Sequence, residues 1–208
     1  MRTTNRRLMI LAALAAGALA LAACDRGAKP GAVNAADMSL GDPAAKIKMV
    51  EYASPTCPHC ARFSTDVFPA FKAKYIDTGK VHYTFKEFLT PPNDVAAASF
   101  LLARCAGKDK YFTVLDTIFR SQQEMFGGAE TPRDVLLRIA QSSGMSEQQF
   151  TACVGDEASL KALNERVDKA IKVDKINSTP TFLIDGKKIK EGEISLTELD
   201  AAVAAAGK

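Results

Sequence analysis

Alternating apolar and polar positions predict two β-strands in the first half of the chain, with a helix between them. Polar and apolar residues alternate over residues 46–52, a stretch that ends apolar, and this predicts one strand. Residues 81–89 predict the second strand. Between them, apolar residues recur at every fourth position on one face of an amphipathic helix over residues 60–75, which Pro69 is expected to kink. The residues of that face are Phe63, Val67, Phe71 and Tyr75. This order predicts a β-α-β unit with a right-handed crossover.

A long helical region follows, from about residue 93 to about residue 173, and the chain ends in a hairpin and one more helix. Helix start signals occur inside that region at Thr131-Pro132, Ser146-Glu147-Gln148-Gln149 and Gly155-Asp156. Residues 181–184 and 187–189 predict two short strands around Asp185-Gly186, a pair typical of a type I′ turn because both positions take positive φ. A capping box at Ser195-Leu196-Thr197-Glu198 then predicts the start of the last helix.

The first 23 residues have the pattern of a secretory signal peptide. Three arginines precede an unbroken apolar or glycine run over residues 8–23, which is too short and too rich in alanine to span a bilayer of about 30 Å. The run ends in Leu21-Ala22-Ala23-Cys24, which resembles the lipobox of bacterial lipoproteins, in which the cysteine sulfur receives a diacylglycerol. Ordinary cleavage after Ala20-Leu21-Ala22 is the alternative, and both predict export.

Residues 24–38, with their glycines, proline and small side chains, predict a flexible tether between the lipidated Cys24 and a folded domain. Asp25, directly after that cysteine, resembles the signal that keeps lipoproteins of enteric bacteria on the inner membrane. The sequence therefore predicts a periplasmic protein held at the inner membrane by its acyl chains.

Composition and charge agree with a compact domain and argue against a nucleic-acid binder. The 208 residues are 47% hydrophobic and 25% charged, as in ordinary soluble domains. The three leader arginines, Arg2, Arg6 and Arg7, account for the formal net charge of +3, so the rest of the chain has a net charge of zero. No cluster of Lys and Arg lies downstream. Because binding to nucleic-acid phosphates depends on such clusters, no nucleic-acid partner is expected.

The sequence Cys57-Pro58-His59-Cys60 lies where the first strand hands over to the helix, which points to redox chemistry. A helix N-terminus directs unpaired N–H groups and a positive dipole end at Cys57, which favours thiolate over thiol. His59 and the thiol or amide of Cys60 would stabilise the thiolate further. A gap of two residues lets the two sulfurs meet within one helical turn, so the pair can alternate between dithiol and disulfide.

A CxxC motif has three other interpretations. A zinc site needs two more ligands at familiar spacing, but no second CxxC exists and the other histidine, His82, falls on a predicted strand, so no metal is expected. Attachment of a c-type haem requires histidine after the second cysteine, where this chain has Ala61. A structural disulfide remains open, although such pairs rarely begin an amphipathic helix after a strand. No cofactor is expected.

The chain resembles the DsbA-type thiol:disulfide oxidoreductases of the thioredoxin superfamily, from about Lys46 to the C-terminus. The resemblance implies an α/β thioredoxin fold with a helical domain inserted between the second and third core strands. The implied boundaries are residues 39–92 for the first part of the thioredoxin fold, 93–173 for the inserted domain and 174–208 for the second part.

The resemblance also implies roles for residues outside the motif. Glu51 matches the family's buried acid beneath the active site, and Thr179-Pro180 matches the cis-proline that offers backbone groups to a substrate peptide. The lysine that the family pairs with the buried acid has no clear counterpart here. Lys86 is nearby on the second strand, but Tyr83 is the better-aligned position.

Cys105 and Cys153 remain after the other cysteines are assigned, and both lie in the helical region. Two leftover cysteines in an exported protein favour a structural disulfide between them, an arrangement that some members of the resembled family share. A second redox-active or resolving pair is the alternative.

Together these residues predict a monomeric oxidoreductase that donates its Cys57–Cys60 disulfide to reduced exported proteins and is reoxidised by a DsbB-like membrane oxidase. The alternatives are an anchored reductase or isomerase of the same superfamily and a binding module that has the fold without the reaction. The sequence does not fix the direction of electron flow, because that depends on how strongly the reduced form is stabilised.

Overall fold

The computed structural model describes residues 30–208. The predicted signal peptide, Cys24 and residues 25–29 of the predicted tether lie outside the described residues. Within residues 30–208, no helix has the length and apolar character needed to cross a membrane.

A five-stranded mixed sheet forms the centre of the fold, with the strand order β1-β3-β2-β4-β5. The strands are β1 (Met38–Leu40), β2 (Ile47–Ala53), β3 (Val81–Glu87), β4 (Thr181–Ile184) and β5 (Lys187–Glu191). β2 and β3 are parallel, and every other neighbouring pair is antiparallel. Helices are inserted between β3 and β4, the second and third core strands predicted from the sequence, so the predicted architecture is confirmed.

The connection from β2 to β3 is a run of helical segments rather than the single kinked helix that the sequence predicted. It comprises α1 (Pro58–Arg62), a π-helical turn (Phe63–Val67), α2 (Phe68–Phe71) and a second π-helical turn (Lys72–Ile76). Pro69 falls in the first turn of α2, where its missing N–H costs little, and the preceding π-turn accommodates it. The predicted face keeps its role, because Phe63 and Phe71 are buried in the core.

The helical region begins at Asn93, as predicted, and comprises α3 to α8. Their bounds are α3 (Asn93–Cys105), α4 (Lys108–Arg120), α5 (Gln122–Phe126), α6 (Pro132–Ser142), α7 (Glu147–Val154) and α8 (Glu157–Lys172). The predicted start signals are confirmed: the side chains of Thr131, Ser146 and Asp156 each accept a hydrogen bond from a backbone N–H in the first turn of their helix. Each of these helices therefore begins where a side chain satisfies an otherwise unpaired donor.

The chain ends in the predicted hairpin and helix. Asp185 and Gly186, at the turn between β4 and β5, have φ values of 49° and 79°, as a type I′ turn requires. The capping box of Ser195 and Glu198 is present at the start of α9 (Leu196–Ala206).

Part of the segment that the sequence predicted to be a flexible tether packs on the folded domain. Residues of β1 pair with β3, and Met38 is buried, whereas the sequence predicted a tether up to residue 38. Gly31 has φ of 74°, and a Cβ at this position would lie 3.1 Å from the Leu183 side chain, so glycine allows the segment to approach β4 closely. This contact depends on a residue far away in the sequence, and no local pattern could predict it.

A disulfide joins Cys105, the last residue of α3, to Cys153 in α7, with the two Cα atoms 6.3 Å apart. This is the pairing that the sequence favoured. The bond lies within the helical insertion, away from the strand-to-helix junction that carries Cys57 and Cys60.

Candidate active site

Cys57 occupies the N-cap position of α1, immediately after the loop that follows β2. Its sulfur accepts a hydrogen bond from the backbone N–H of Cys60 at 3.4 Å. It also lies 3.4 Å from the backbone carbonyl of Thr179, to which the thiol can donate. Pro58 at the first helical position fixes this junction, since proline there has the φ that a helix needs.

The two thiols of the motif differ in acidity, and both are free in the structure. The pKa of Cys57 falls from 9.0 to about 5, chiefly because the Cys60 thiol donates a hydrogen bond to its thiolate, which outweighs the opposing effect of burial. Thr179 and the backbone N–H groups of Cys60 and His59 contribute in the same direction. Cys60 is fully buried, and this burial, together with the neighbouring Cys57 thiolate, raises its pKa well above 9. These opposite pKa shifts favour Cys57 as the thiolate of the pair and keep Cys60 protonated.

Glu51 is buried on β2 beneath the motif, where the sequence placed it, and the hydroxyl of Tyr83 donates a hydrogen bond to its carboxyl group. The pKa of Glu51 is raised to about 8, chiefly by burial; the hydrogen bond from Tyr83 opposes this rise, and the Cys57 thiolate adds to it. Lys86 instead donates to the carbonyl of Ala32 and pairs with Asp37 at 3.2 Å. Of these two residues of β3, Tyr83 and not Lys86 is therefore the one that contacts Glu51.

A cavity of about 630 Å³ reaches this buried carboxyl group from the side of the π-helical turns and α4. Its walls include Phe63, Phe68, Tyr83 and Phe112 together with Glu51. The carboxyl group of Glu51 is thus enclosed by aromatic side chains, which explains why desolvation dominates its pKa.

The backbone N–H of His59 helps to stabilise the Cys57 thiolate, while the imidazole ring contacts Glu193 and Arg62. Its Nδ1 atom lies 2.9 Å from a carboxylate oxygen of Glu193 and 2.7 Å from a guanidinium nitrogen of Arg62. Glu193 also accepts from the Arg62 Nε atom at 2.6 Å, so one carboxylate holds both side chains. Sequence reasoning missed Glu193, because it is 134 residues from His59 and only the fold brings the two together.

The Thr179–Pro180 peptide bond is cis, as the resemblance implied. Thr179 lies beside Cys57, and the carbonyl of Pro180 accepts a hydrogen bond from the N–H of Gly192 at 2.8 Å. The loop before β4 thus presents backbone groups next to the reactive sulfur, where an extended peptide could pair with them.

A polar network that the sequence did not reveal supports the loop before Cys57. The Thr56 hydroxyl donates to the carbonyl of Thr90 at 2.7 Å, and the amide nitrogen of Gln122 donates to the carbonyl of Pro55 at 2.8 Å. An open groove of about 490 Å³ lies beside this network and is lined partly by Pro58, by the cis Pro91–Pro92 pair and by Phe126. Phe126 is 44% exposed, so the groove offers an apolar surface next to the motif.

The comparisons with known proteins agree with this geometry. A family model described as thioredoxin matches residues 33–205. The chain belongs to the thioredoxin family. A curated relative from Rickettsia bellii, named "Putative protein-disulfide oxidoreductase", is 34% identical over 167 residues, covering 80% of this chain and 63% of the relative. A relative from Rickettsia conorii with a corresponding name is 35% identical, again over 80% of this chain, and 59% of that relative is covered. This chain thus spans about three fifths of the length of these curated relatives.

Solved structures of related proteins share this fold. The crystal structure of Wolbachia pipientis alpha-DsbA1 has a TM-score of 0.78 and 30% identity, covering 87% of this chain and 96% of that one. Bacillus subtilis BdbD, at 20% identity and a TM-score of 0.72, shares the fold over 82% of this chain and 92% of its own. Both likenesses show the fold, and the first, at 30% identity, is to a DsbA protein.

Proposed function

We propose that this protein is an exported thiol:disulfide oxidase that transfers its Cys57–Cys60 disulfide to reduced exported proteins. The observation that carries this proposal is the low pKa of Cys57, about 5, at the N-terminus of α1. A stabilised thiolate favours the reduced enzyme over its disulfide, which makes the disulfide oxidising.

The reaction follows from the difference between the two sulfurs. A substrate thiolate attacks Cys57 Sγ of the oxidised pair, and Cys60 leaves with the electrons of the broken S–S bond. Because the thiol form of Cys60 is strongly favoured, it takes up a proton, and Glu51, protonated at neutral pH, is the buried acid that can supply one. Glu51 then recovers its proton from solvent.

A second substrate thiolate completes the transfer. It attacks the substrate sulfur of the mixed disulfide, so the substrate disulfide forms and Cys57 leaves as the stabilised thiolate. Two substrate thiols lose two electrons in total, and the Cys57–Cys60 disulfide gains them. The carbonyls around Thr179 and the groove beside Phe126 would hold the substrate backbone and its apolar side chains.

The proposal includes a location and partners. Acylation of Cys24 would anchor the monomeric protein to the inner membrane on its periplasmic side. A membrane oxidase that resembles DsbB would accept the two electrons and restore the disulfide. The sequence of the leader supports this part of the proposal, and a structural role for the Cys105–Cys153 bond belongs to it as well.

The full-length protein tests the direction of transfer. We expect the pair to equilibrate with glutathione on the oxidising side of that buffer and to oxidise a reduced, unfolded protein quickly. A pair more reducing than glutathione, active only in reducing insulin, would overturn the oxidase and favour a reductase.

Trapping tests the assignment of the nucleophile. We expect Cys60→Ala to accumulate substrates in mixed disulfides with Cys57, because no internal thiol can release them. Cys57→Ala is the matched control and should trap nothing. Substrates held by Cys105 instead would contradict the roles given to these residues.

A further inference from the structure

The described chain begins at the end of the sheet opposite the reactive cysteine. Pro30 lies against the β4–β5 turn, since a Cβ on Gly186 would come within 3.3 Å of its carbonyl oxygen. The N–H of Asp185, in the same turn, donates to the carbonyl of Lys48 at 2.9 Å, near the start of β2. Cys57 follows the other end of β2, which is about 20 Å away along a strand of this length.

The N-terminal segment is held tightly from residue 31 onward. The N–H of Gly31 donates to the buried carboxylate of Asp174 at 3.2 Å, and Lys86 donates to the carbonyl of Ala32 at 2.8 Å. Lys86 also pairs with Asp37, and both side chains are almost fully buried. Only residues 25–30 therefore separate Cys24 from the fixed chain, a span of at most about 25 Å when fully extended. An acyl group on Cys24 would keep this part of the domain next to the bilayer.

The surface around this point is apolar and basic. We define the Pro30 surface as Val33, Ile171, Lys172, Val173, Lys175 and Lys187. Three of the five exposed large apolar residues in the described chain belong to it, Val33 at 44% and Ile171 and Val173 at 46% exposed. Val173 precedes Asp174, whose carboxylate accepts from the N–H of Gly31, and Val33 follows Gly31 by two residues, so these apolar residues belong to chain segments that meet at this hydrogen bond. The apolar residues thus concentrate beside the chain that leads to Cys24.

The lysines of this surface give it a positive charge. Within residues 30–208, Lys175 and Lys187 form no ion pair, and the pair of Lys172 with Asp168 is exposed to solvent on both sides. The carboxylate of Asp174 points inward, where it accepts from Tyr52 at 2.6 Å, and Asp185 accepts from the N–H of Lys48. The acidic groups of this region therefore have partners on the protein, whereas the lysine ammonium groups face outward.

We propose that the Pro30 surface contacts the anionic phospholipid headgroups of the membrane that holds Cys24, with its aliphatic side chains in the interface. This inference rests on the acylation of Cys24 included in the proposed function. Lysines attract anionic lipid and keep their ammonium groups at headgroup level, while Val33, Ile171 and Val173 bury apolar area at the boundary.

Lysine footprinting of the acylated full-length protein tests this contact. The protein is placed in vesicles of phosphatidylcholine with phosphatidylglycerol, and acetylation of each lysine is measured by mass spectrometry. We expect Lys172, Lys175 and Lys187 to react about fivefold more slowly than in detergent. An attraction of about 1 kcal/mol between one lysine and an anionic surface lowers the fraction of free, reactive lysine by about that factor. Lys161, near the start of α8, is the internal control and should react equally in both.

Paired variants separate the surface from the helix that carries it. Ile171→Ser with Val173→Ser should remove most of the lysine protection, whereas Leu160→Ser, at a 37% exposed position on the same helix, should leave it unchanged. Alkylation of Cys57 at neutral pH should be the same in all of them, since none of these residues touches the motif.

Two results would overturn the inference without affecting the oxidase. One is even acetylation of all lysines in an acylated protein. The other is protection that occurs in native membranes but not in pure lipid vesicles, which would assign the surface to a membrane protein. The mass of the Cys24 peptide reports acylation separately, and an unmodified cysteine would overturn the anchoring and this inference together, while the redox measurements would stand.

Discussion

At the scale of single residues, the reactivity of this protein depends on which groups donate hydrogen bonds to one sulfur. The Cys57 sulfur receives them from the Cys60 thiol, from the side chain of Thr179 and from backbone N–H groups of α1, and their combined effect outweighs burial. Cys60, one helical turn later, has no comparable set of donors and is fully buried. Two cysteines three positions apart therefore have opposite pKa shifts for reasons of geometry.

Alkylation should reveal the thiolate of Cys57 directly. We expect the rate of reaction of reduced protein with iodoacetamide to rise with a midpoint near pH 5, because the pKa of Cys57 is lowered to about 5. Rates measured against pH, with modified residues identified by mass spectrometry, check this. A Cys60→Ala variant should shift the midpoint upward, since the leading donor is lost; an unchanged midpoint would contradict its role.

Glu51 should make the stability of the oxidised protein depend on pH. Its folded pKa of about 8 lies above the ordinary value of 4.5, so the folded state holds the proton more tightly than the unfolded state. Stability is then fully present below pH 4.5 and is lost as pH rises through 8, by an amount of the order of 4 kcal/mol. In the disulfide form Cys57 does not titrate, so its thiolate no longer contributes to the pKa of Glu51, but burial, the largest cause, remains.

Denaturant unfolding of the oxidised protein across this pH range measures that loss. The Glu51→Gln variant is the control, since its amide has nearly the shape of the protonated carboxyl group and cannot ionise. We expect the decline between pH 4.5 and 8 to be much smaller in this variant. Equal declines in both proteins would mean that another group causes the pH dependence.

At the scale of elements, helix starts and the last hairpin follow local rules, while the segments that pack at long range do not. Ser146 and Ser195 begin their helices with complete capping boxes, and Asp185-Gly186 turns the hairpin as its type requires. β1 has no such signal, because its three residues form a strand only by pairing with β3. The π-helical turns around α2 are likewise a response to packing that an ideal period does not anticipate.

The disulfide in the helical insertion should stabilise the fold without setting the chemistry of the motif. Closing a loop of 48 residues restricts the unfolded chain by about 4 kcal/mol in the loop-entropy account, an upper value for the effect. We expect Cys105→Ser with Cys153→Ser to lower the free energy of unfolding by about 2–4 kcal/mol. The alkylation midpoint of Cys57 should stay the same, and a shift of that midpoint would favour a redox-active second pair.

At the scale of the whole molecule, one buried carboxylate ties the sheet to the helical insertion. Glu87, at the end of β3, accepts from Arg104 of α3 at 2.6 Å and from Arg166 of α8 at 2.8 Å. Tyr111 of α4 also donates to it, at 3.1 Å. Since the Glu87 side chain is only 1% exposed, these contacts are shielded from solvent and hold the insertion at a fixed position relative to β3.

Removing this carboxylate should destabilise the protein strongly. We expect Glu87→Ala to cost about 3–5 kcal/mol, because two partly buried guanidinium groups lose their counter-charge. Asp116→Ala is the matched control, since it breaks an exposed pair with Arg120 and should cost less than about 1 kcal/mol. Equal effects in the two variants, measured by denaturant unfolding, would show that the network contributes little.

The sequence by itself determined the reactive motif and most of the elements, because these depend on residues close together in the chain. Periodicity, caps and turn residues act over a few positions, and Cys57-Pro58-His59-Cys60 carries its chemistry at a single strand-to-helix junction. The tertiary structure decided what surrounds that junction. Glu193 meets His59, Tyr83 meets Glu51 and Asp174 holds Gly31 only because folding brings distant segments together, and contacts of this kind leave no local pattern.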